Sequence, residues 1–319
     1  MAVTISAAMV GELRNKTGAG LMDCKRALVE TNGDQDAAIV LLREKGLAAA
    51  AKKADRIAAD GVVDIMKNGD EVAMVEVNSE TDFVAKNEKF VEFVHGVLRT
   101  ILANRPADME ALNACKFDGT DFTVEDTVKE QISIIKEKIS IRRFVIVDGL
   151  TSTYIHGKGN TGVIVKFEAD DAAKNNPGFA EFAKNIALQV GAYPTPYLNK
   201  ESVPASVLAE EQKIVEEQIK NDPKNANKPA NVIEKMAIGK LGKFYEQNCL
   251  LEMGYVKDDA MSVGKYVETT AKQFGGKIEV VGFERYEKGE GIAKREDNLD
   301  EEVAKMLGKK EAISLINIP

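Results

Sequence analysis

The sequence predicts an α+β protein with an N-terminal three-helix module, a duplicated core of antiparallel sheets and helices, and a protruding helical hairpin. Three observations lead to this prediction. Apolar residues recur at helical spacing near the start of the chain, strand-like runs alternate with helical segments in the middle, and two long stretches with narrow apolar faces follow residue 200. At 319 residues the chain is long enough for two or more domains.

Residues 1–46 are predicted to form the three-helix module. Its apolar positions follow helical spacing: Ile5, Met9 and Leu13 in the first helix, and Leu21, Cys24 and Leu28 in the second. Asp34 is a favourable N-cap for the third helix, and Gly46 is predicted to end it. Residues 47–60 are rich in alanine and poor in large apolar side chains, so we expect a solvated helical linker there.

Residues 61–142 are predicted to form the first α+β subdomain of the core. Two strand-like runs, GVVDIM and EVAMVEVN, flank Asn68 and Gly69. An Asn-Gly pair in this setting is typical of a tight hairpin whose two turn positions both have positive φ. The helix that follows is expected to face the core with four residues: Phe90, Val94, Val97 and Ile101.

The next part of the chain repeats this order of elements. A shift of 88 residues takes Gly61 to Gly149, and the second strand matches after a further slip of two. This pattern predicts a duplicated unit. The expected organisation is a second core subdomain from 143–201 and 252–292, an inserted helical hairpin from 202–251, and a C-terminal helix with a tail from 293–319.

The inserted hairpin is predicted from two narrow apolar stripes joined by the polar turn NDPKNANKPAN. The stripes consist of Val207, Ile214 and Val215 in the first helix, and Ile233, Ala237, Leu241 and Phe244 in the second.

Composition argues against several classes of function. The formal net charge of −8 disfavours a general binder of nucleic acid or of anionic membranes. Three widely spaced cysteines, Cys24, Cys115 and Cys249, fit neither a disulfide framework nor a zinc site. Before Arg14 the chain has no basic residue, which is unlike a signal peptide, and no stretch approaches the ~20 apolar residues of a membrane span. A cytoplasmic location is therefore expected.

No arrangement of residues predicts enzyme chemistry, a cofactor or a metal. GKGNTG at 157–162 matches G-x-G-x-x-G, but a strand follows it where a dinucleotide site needs a helix, so a hairpin turn is expected. The two histidines, His95 and His156, have no catalytic companion at a recognised spacing. Cys24 fits the inner face of its helix.

Phe83 is the residue for which the repeat is most informative. It lies seven residues before Phe90, so it could pack on the same face of one helix. The second copy, however, has ADDAAKN where the first has TDFVAKN, which places Asp171 opposite Phe83. The repeated unit therefore folds without an aromatic residue at this position. We expect Phe83 to be exposed and to anchor an interface.

Several segments resemble bacterial elongation factor Ts from the N-terminus to about residue 307. The segments that carry the resemblance are LRNKTGAGLMDCKRAL at 13–28, NGD at 32–34, AADG at 58–61, VNSETDFVAKN at 77–87, IRR at 141–143, HG at 156–157 and GFERYEKGEGI at 282–292.

The resemblance implies a guanine-nucleotide exchange factor for the GTPase elongation factor Tu. Such a protein would bind the GDP-bound and nucleotide-free partner and would promote GDP release by disturbing the Mg²⁺ and phosphate site. It also implies that the N-terminal module is similar to a ubiquitin-associated (UBA) domain and grips the GTPase domain, that the TDFV segment intrudes near the nucleotide, and that the helical hairpin serves homodimer formation.

Nine residues are implied as partner-binding: Arg14, Leu21, Met22, Lys25, Thr81, Asp82, Phe83, Val84 and His156. Leu21 stands where relatives often have methionine, which keeps an apolar contact. No direct contact with nucleic acid or membrane is expected. Two alternatives stay open at this point: an adaptor that uses the three-helix module without promoting exchange, and an enzyme that uses Cys24 or His156.

Overall fold

The computed structural model describes residues 4–222 and 228–293, and its architecture is α+β. The helices are α1 (Ala7–Thr17), α2 (Leu21–Glu30), α3 (Gln35–Ala51), α4 (Asp82–Ala85), α5 (Glu88–Asn104), α6 (Met109–Ala114), α7 (Val124–Ile135), α8 (Asp171–Lys174), α9 (Phe179–Ala192), α10 (Ala205–Asn221), α11 (Ala230–Asn248) and α12 (Val263–Phe274). The strands are β1 (Asp60–Asn68), β2 (Glu71–Ser79), β3 (Ser140–Asp148), β4 (Thr151–His156), β5 (Thr161–Ala169), β6 (Gly254–Tyr255), β7 (Asp258–Ser262) and β8 (Ile278–Glu287).

The predicted three-helix module is present as α1, α2 and α3. Leu13, Cys24 and Leu28 are fully buried in its core, as expected. Asp34 caps α3, because its carboxylate accepts a hydrogen bond from the backbone N–H of Ala37. The prediction that Leu21 shares the buried face is wrong: as the first residue of α2 its side chain is 51% exposed.

Gly46 does not end the third helix, contrary to the prediction. α3 continues to Ala51 through a run of alanines, which have the highest helix propensity. Gly46 is instead buried within the helix, where a Cβ atom would lie 3.3 Å from the Cβ of Ser133 on α7. The linker is accordingly helical only up to Ala51, and turns and bends occupy most of the remaining residues before β1.

The first sheet has the order β1–β2–β3, with antiparallel pairing throughout. Asn68 is still paired with Glu71, so the tight turn is formed by Gly69 and Asp70. Of these only Gly69 has positive φ (62°), which corrects the predicted Asn68-Gly69 turn. The four residues predicted to face the core from α5 are all fully buried: Phe90, Val94, Val97 and Ile101.

The strand predicted at 143–149 exists, but it closes the first sheet and does not open the second unit. β3 pairs with β2, whereas the second sheet has the order β4–β5–β8. Both sheets follow the same course: a hairpin, a one-turn helix, a longer helix, and later a helix that leads into the third strand. Both also have a register irregularity in the central strand, at Glu76/Val77 in β2 and at Lys166/Phe167 in β5.

The two sheets pack against each other through the faces that do not carry α5 and α9. A buried cluster lies between them: Val63, Val72, Met74, Ile164 and Tyr286. Gly162 allows their close approach, because a Cβ atom there would lie 2.6 Å from a methyl group of Val63. The sheets are therefore joined by a packed interface rather than by the chain alone.

The inserted hairpin consists of α10 and α11, whose buried residues contact one another: Val215, Ile219, Ile233 and Ala237. Ile214, predicted to lie in the stripe, is 46% exposed, and the next turn contributes Ile219 instead. The sequence did not reveal the β6–β7 ribbon or α12. Residues 223–227 of the predicted polar turn and the whole of the predicted EEVAKML helix lie outside the described residues.

Candidate partner-binding surface

The segment that carries Phe83 is a one-turn helix held firmly at its start. Thr81 caps α4, its hydroxyl accepting a hydrogen bond from Val84 N–H. The carboxylate of Glu137, from the loop after α7, accepts three hydrogen bonds: from Glu80 N–H at 3.1 Å, Thr81 N–H at 3.0 Å and the Thr81 hydroxyl at 2.7 Å. Hydrogen bonds to a charged acceptor are the stronger kind, so α4 has a defined position.

Phe83 is 82% exposed, as the repeat predicted. The next residue, Val84, is half-buried and packs against the first core, and Ala85 is buried. At the corresponding place in the second copy, Asp171 and Ala172 are also exposed. The fold therefore presents this position to solvent in both copies, and only the first copy places an aromatic ring there.

Asp82 forms an ion pair with Lys86 one turn later, with 2.5 Å between Oδ2 and Nζ. The hydrogen bond from Lys86 lowers the pKa of Asp82, and the same contact raises the pKa of Lys86. Both groups are therefore charged at neutral pH. Asp82 presents a fixed negative charge beside the exposed ring of Phe83.

His156 is the last residue of β4 and is exposed. Its Nδ1 atom lies 2.8 Å from the hydroxyl of Tyr154. The turn that follows is the predicted hairpin turn, and its Gly159 is buried against β1, where Val63 N–H donates to Gly159 O at 2.8 Å. A Cβ atom at Gly159 would lie 2.8 Å from Val62 Cγ1, so only glycine fits without displacement.

His156 and Asp82 lie at the same end of the core. Lys288 contacts both the hairpin turn after His156 and the start of β1: its backbone N–H donates to Asn160 O at 2.9 Å, and its ammonium group lies 2.5 Å from the carboxylate of Asp60. The positive charge of Lys288 also acts on Asp82. The structure therefore brings the second hairpin turn close to the Phe83 segment.

A buried carboxylate fixes the two sheets relative to each other at this end. Glu76 is fully buried and accepts hydrogen bonds from Arg142 at 3.0 Å, Arg143 at 2.7 Å and Gly289 N–H at 2.8 Å. Burial alone would raise the pKa of Glu76, but the hydrogen bonds outweigh it and hold the pKa below its usual value. Glu76 therefore stays charged and links β2 and β3 to the turn after β8.

The N-terminal module exposes the other predicted residues. Met22 is 62% exposed, and Arg14 and Lys25 are also exposed. Leu21 and Lys25 are one turn apart on α2, and Met22 precedes Lys25 by three residues, so the three side chains share one side of the helix. An apolar surface bordered by positive charge results.

Other candidate chemistry is weak in the described part of the chain. Cys24 is fully buried, and His95 pairs with Asp64, with 2.9 Å between Nε2 and Oδ2. No group of three or more His, Cys, Asp or Glu side chains among residues 4–222 and 228–293 is placed to hold a metal ion. A groove of about 990 Å³ lies between β8, α8 and α12, and none of the predicted site residues lines it. None of the described helices has the length and apolar character of a membrane span.

Known proteins resemble the chain over nearly all of its length. Residues 80–290 match the family model described as elongation factor TS. The chain is 43% identical over 305 residues to elongation factor Ts of Syntrophotalea carbinolica, covering 95% of this chain and 99% of that protein. It is also 43% identical over 312 residues to elongation factor Ts of Clostridium kluyveri, covering 96% and 100% of the two chains.

The chain belongs to the elongation factor Ts family. The predicted resemblance is thereby confirmed, and so is the prediction of a non-catalytic exchange factor of protein biosynthesis. The roles of the nine individual residues stay predictions. Glu137 and Glu76 were missed because their partners are distant in sequence, and no local spacing identifies such contacts.

Proposed function

We propose that this protein binds elongation factor Tu in its GDP-bound and nucleotide-free forms and accelerates GDP release by disturbing the Mg²⁺ and phosphate site. The observation that carries the proposal is Phe83, an exposed aromatic ring on a one-turn helix whose start is fixed by Glu137. Aromatic anchors of this kind contribute strongly to interfaces, because burial in the partner removes a large apolar area from water.

The neighbouring charge gives the segment a second action. Asp82 is held as an anion by Lys86 next to the ring. A carboxylate brought close to a bound Mg²⁺ ion competes with the phosphate for the metal, and its negative charge repels the phosphate. The partner's affinity for GDP therefore falls. Phe83 then supplies binding energy for an approach that the charges alone would not favour.

The N-terminal module and the second hairpin turn provide further contacts. We propose that the module is a UBA-like domain that binds the GTPase domain through Leu21 and Met22, with Arg14 and Lys25 around them. His156 contacts a different part of the partner. The core is a duplicated unit, the α10–α11 hairpin serves self-association, and the protein acts in the cytoplasm without direct contact to nucleic acid or membrane.

The test is release of labelled GDP from elongation factor Tu, measured with and without this protein under stopped flow. The proposal expects a release rate that rises with the protein concentration and then saturates. Binding without any change in the release rate would indicate an adaptor and would refute the proposal. An unchanged rate after alkylation of the accessible thiols is also expected, since no cysteine has a role.

A further inference from the structure

Three consecutive residues after α7 connect parts of the molecule that are far apart in sequence. Lys136 places its ammonium group 3.3 Å from the carboxylate of Asp23, the neighbour of Met22 in α2. Glu137 holds the start of the Phe83 segment through the three hydrogen bonds described above. Lys138 donates to two carbonyl groups of the linker, at 2.6 and 2.8 Å. We call residues 136–138 the α7 exit segment.

The second copy of the core shows what the fold itself requires here. Lys138 N–H donates to the carboxylate of Glu80 at 2.6 Å, and Lys277 N–H donates to that of Asp170 at 2.8 Å. In both copies this amide is thus bound by a carboxylate from the segment after the central strand, although the two acceptors are not at corresponding positions of the repeat. The two residues before Lys277 are Gly275 and Gly276, whereas the first copy has lysine and glutamate. The side chains of residues 136 and 137 are therefore additions to the shared fold.

The backbone of Lys136 supports this interpretation. It ends α7 in the left-handed region, at φ 68°, and Gly275 ends α12 in the same region, at φ 72°. Glycine is favoured there because a Cβ atom is unfavourable at positive φ. The first copy accepts lysine at this cost, and the contact that this lysine makes is the one with Asp23 in the N-terminal module.

The module also packs directly on α7. Gly46 lies against Ser133, Ile134 lies near Gly18, and the guanidinium group of Arg43 lies 3.7 Å above the ring of Phe122. A glycine inside a helix lowers helix stability relative to alanine, so its presence at this contact is explained by the close approach of the two helices. The linker is therefore not the only connection between the module and the core.

We propose that Lys136 and Glu137 are positioning residues, which hold the N-terminal module and the Phe83 segment in a fixed relative placement before the partner binds. The proposal rests on the proposed function, since it assigns a purpose to the placement of two partner-binding surfaces. Two surfaces held in the bound arrangement lose less conformational entropy on binding, and contact at one raises the effective concentration at the other.

The first test converts each residue to its counterpart in the second copy. Lys136→Gly relieves the left-handed conformation and should fold at least as stably as the parent. We expect its half-saturating concentration in GDP release to rise by up to about fivefold, the range of an exposed ion pair, with an unchanged maximal rate. Glu137→Gly should instead lower the maximal rate about tenfold, with a smaller change in half-saturation, because α4 loses its anchor.

The matched control is Glu125→Gln, which removes a carboxylate from α7. Within residues 4–222 and 228–293, its ion pair is with Lys129 on the same helix, at 2.6 Å. It should change neither parameter. Equal effects of the two glycine variants on both parameters, or no effect of either, would overturn the proposal. Hydrogen exchange gives a readout that is independent of the partner: the amides of Glu80 and Thr81 should lose protection in Glu137→Gly, and unchanged protection also contradicts the proposal.

The second test locks the module on α7 with a disulfide. The Cβ position of Gly46 lies 3.3 Å from the Cβ of Ser133, close to the ~3.5–4.5 Å of a disulfide. In Gly46→Cys with Ser133→Cys, oxidation should lower the thiol count by two and leave the three native thiols. The oxidised protein should keep full exchange activity.

Exchange that is lost on oxidation and restored by a reductant would show that the module must leave α7, and the proposal would be wrong. Failure of the disulfide to form would contradict the α3–α7 contact itself. A failure of the proposed function gives a different result: the parent protein would then leave the rate of GDP release unaltered. The thiol count and the hydrogen exchange are measured without elongation factor Tu, so they test the positioning of the two surfaces separately.

Discussion

Replacing Phe83 by alanine tests whether this side chain is exposed for partner binding or packed in the core. The side chain is 82% exposed, so the folded state loses little contact when it is removed. We expect the free energy of unfolding to fall by less than about 0.5 kcal/mol, as for other surface positions. Phe90 is fully buried in the same core, and its replacement by alanine should cost ~3–5 kcal/mol.

The effect on exchange should be much larger than the effect on stability. Burial of one phenylalanine in an interface contributes ~1.5–3 kcal/mol. Since ~1.4 kcal/mol corresponds to a factor of ten in rate, GDP release should slow by about ten- to a hundredfold. Adding Asp82→Ala should give less than the sum of the two single effects if the ring and the carboxylate act as one unit.

Thermal unfolding and stopped-flow GDP release on the same variants make the comparison. Asp171→Ala, at the corresponding position of the second copy, is the control and should leave both measurements unchanged. A large fall in the melting temperature of Phe83→Ala with normal exchange per folded molecule would identify Phe83 as a core residue. Normal stability together with normal exchange would remove Phe83 from the interface.

Three other variants test the N-terminal module, the helical hairpin and the buried carboxylate. Leu21→Ala with Met22→Ala should weaken binding of elongation factor Tu at least tenfold in calorimetric titration without lowering the melting temperature, whereas Val29→Ala, on the same helix and 56% exposed, should leave the affinity unchanged. Replacing residues 205–248 with a short linker should abolish self-association in sedimentation experiments. GDP release should stay intact, because the buried residues of the hairpin contact one another and the core does not depend on them. Loss of exchange in a variant with an intact core would contradict this. Glu76→Gln should destabilise the protein by about 3 kcal/mol at pH 7, because Arg142 and Arg143 no longer donate to a buried carboxylate. The pKa of Glu76 is lowered on folding, so its contribution to stability is present above about pH 4.5 and is lost as the pH falls through the folded pKa. The unfolding free energy of Glu76→Gln should therefore depend less on pH below about 4.5 than that of the parent protein. The same acid dependence in both proteins would refute the role of Glu76.

Local patterns in the sequence predicted the parts of the fold that local physics determines. The buried face of α5, the cap at Asp34 and the exposed position of Phe83 all follow from spacing, from cap chemistry or from the internal repeat. Gly46 misled the prediction because a glycine that ends a helix and one that permits two helices to touch look alike in sequence. Its partner, Ser133, is distant along the chain.

The membership of β3 in the first sheet illustrates the same difficulty at the level of topology. The run RFVIVDG was recognisable as a strand, but its pairing with β2 depends on contacts that neither strand specifies alone. The anchoring of the candidate site likewise depends on Glu76 and Glu137, whose hydrogen bonds reach across 50 or more residues. Such contacts are determined by the folded arrangement and leave no periodic signal.

In the proposed mechanism, binding of this protein and binding of GDP to elongation factor Tu oppose each other. The most direct test is a pair of calorimetric titrations, with nucleotide-free and with GDP-saturated partner at the same Mg²⁺ concentration. Linkage requires that the protein bind the GDP form more weakly by the factor by which it weakens GDP, and a coupling of ~3 kcal/mol gives about 150-fold. Equal affinity for the two forms would contradict the account.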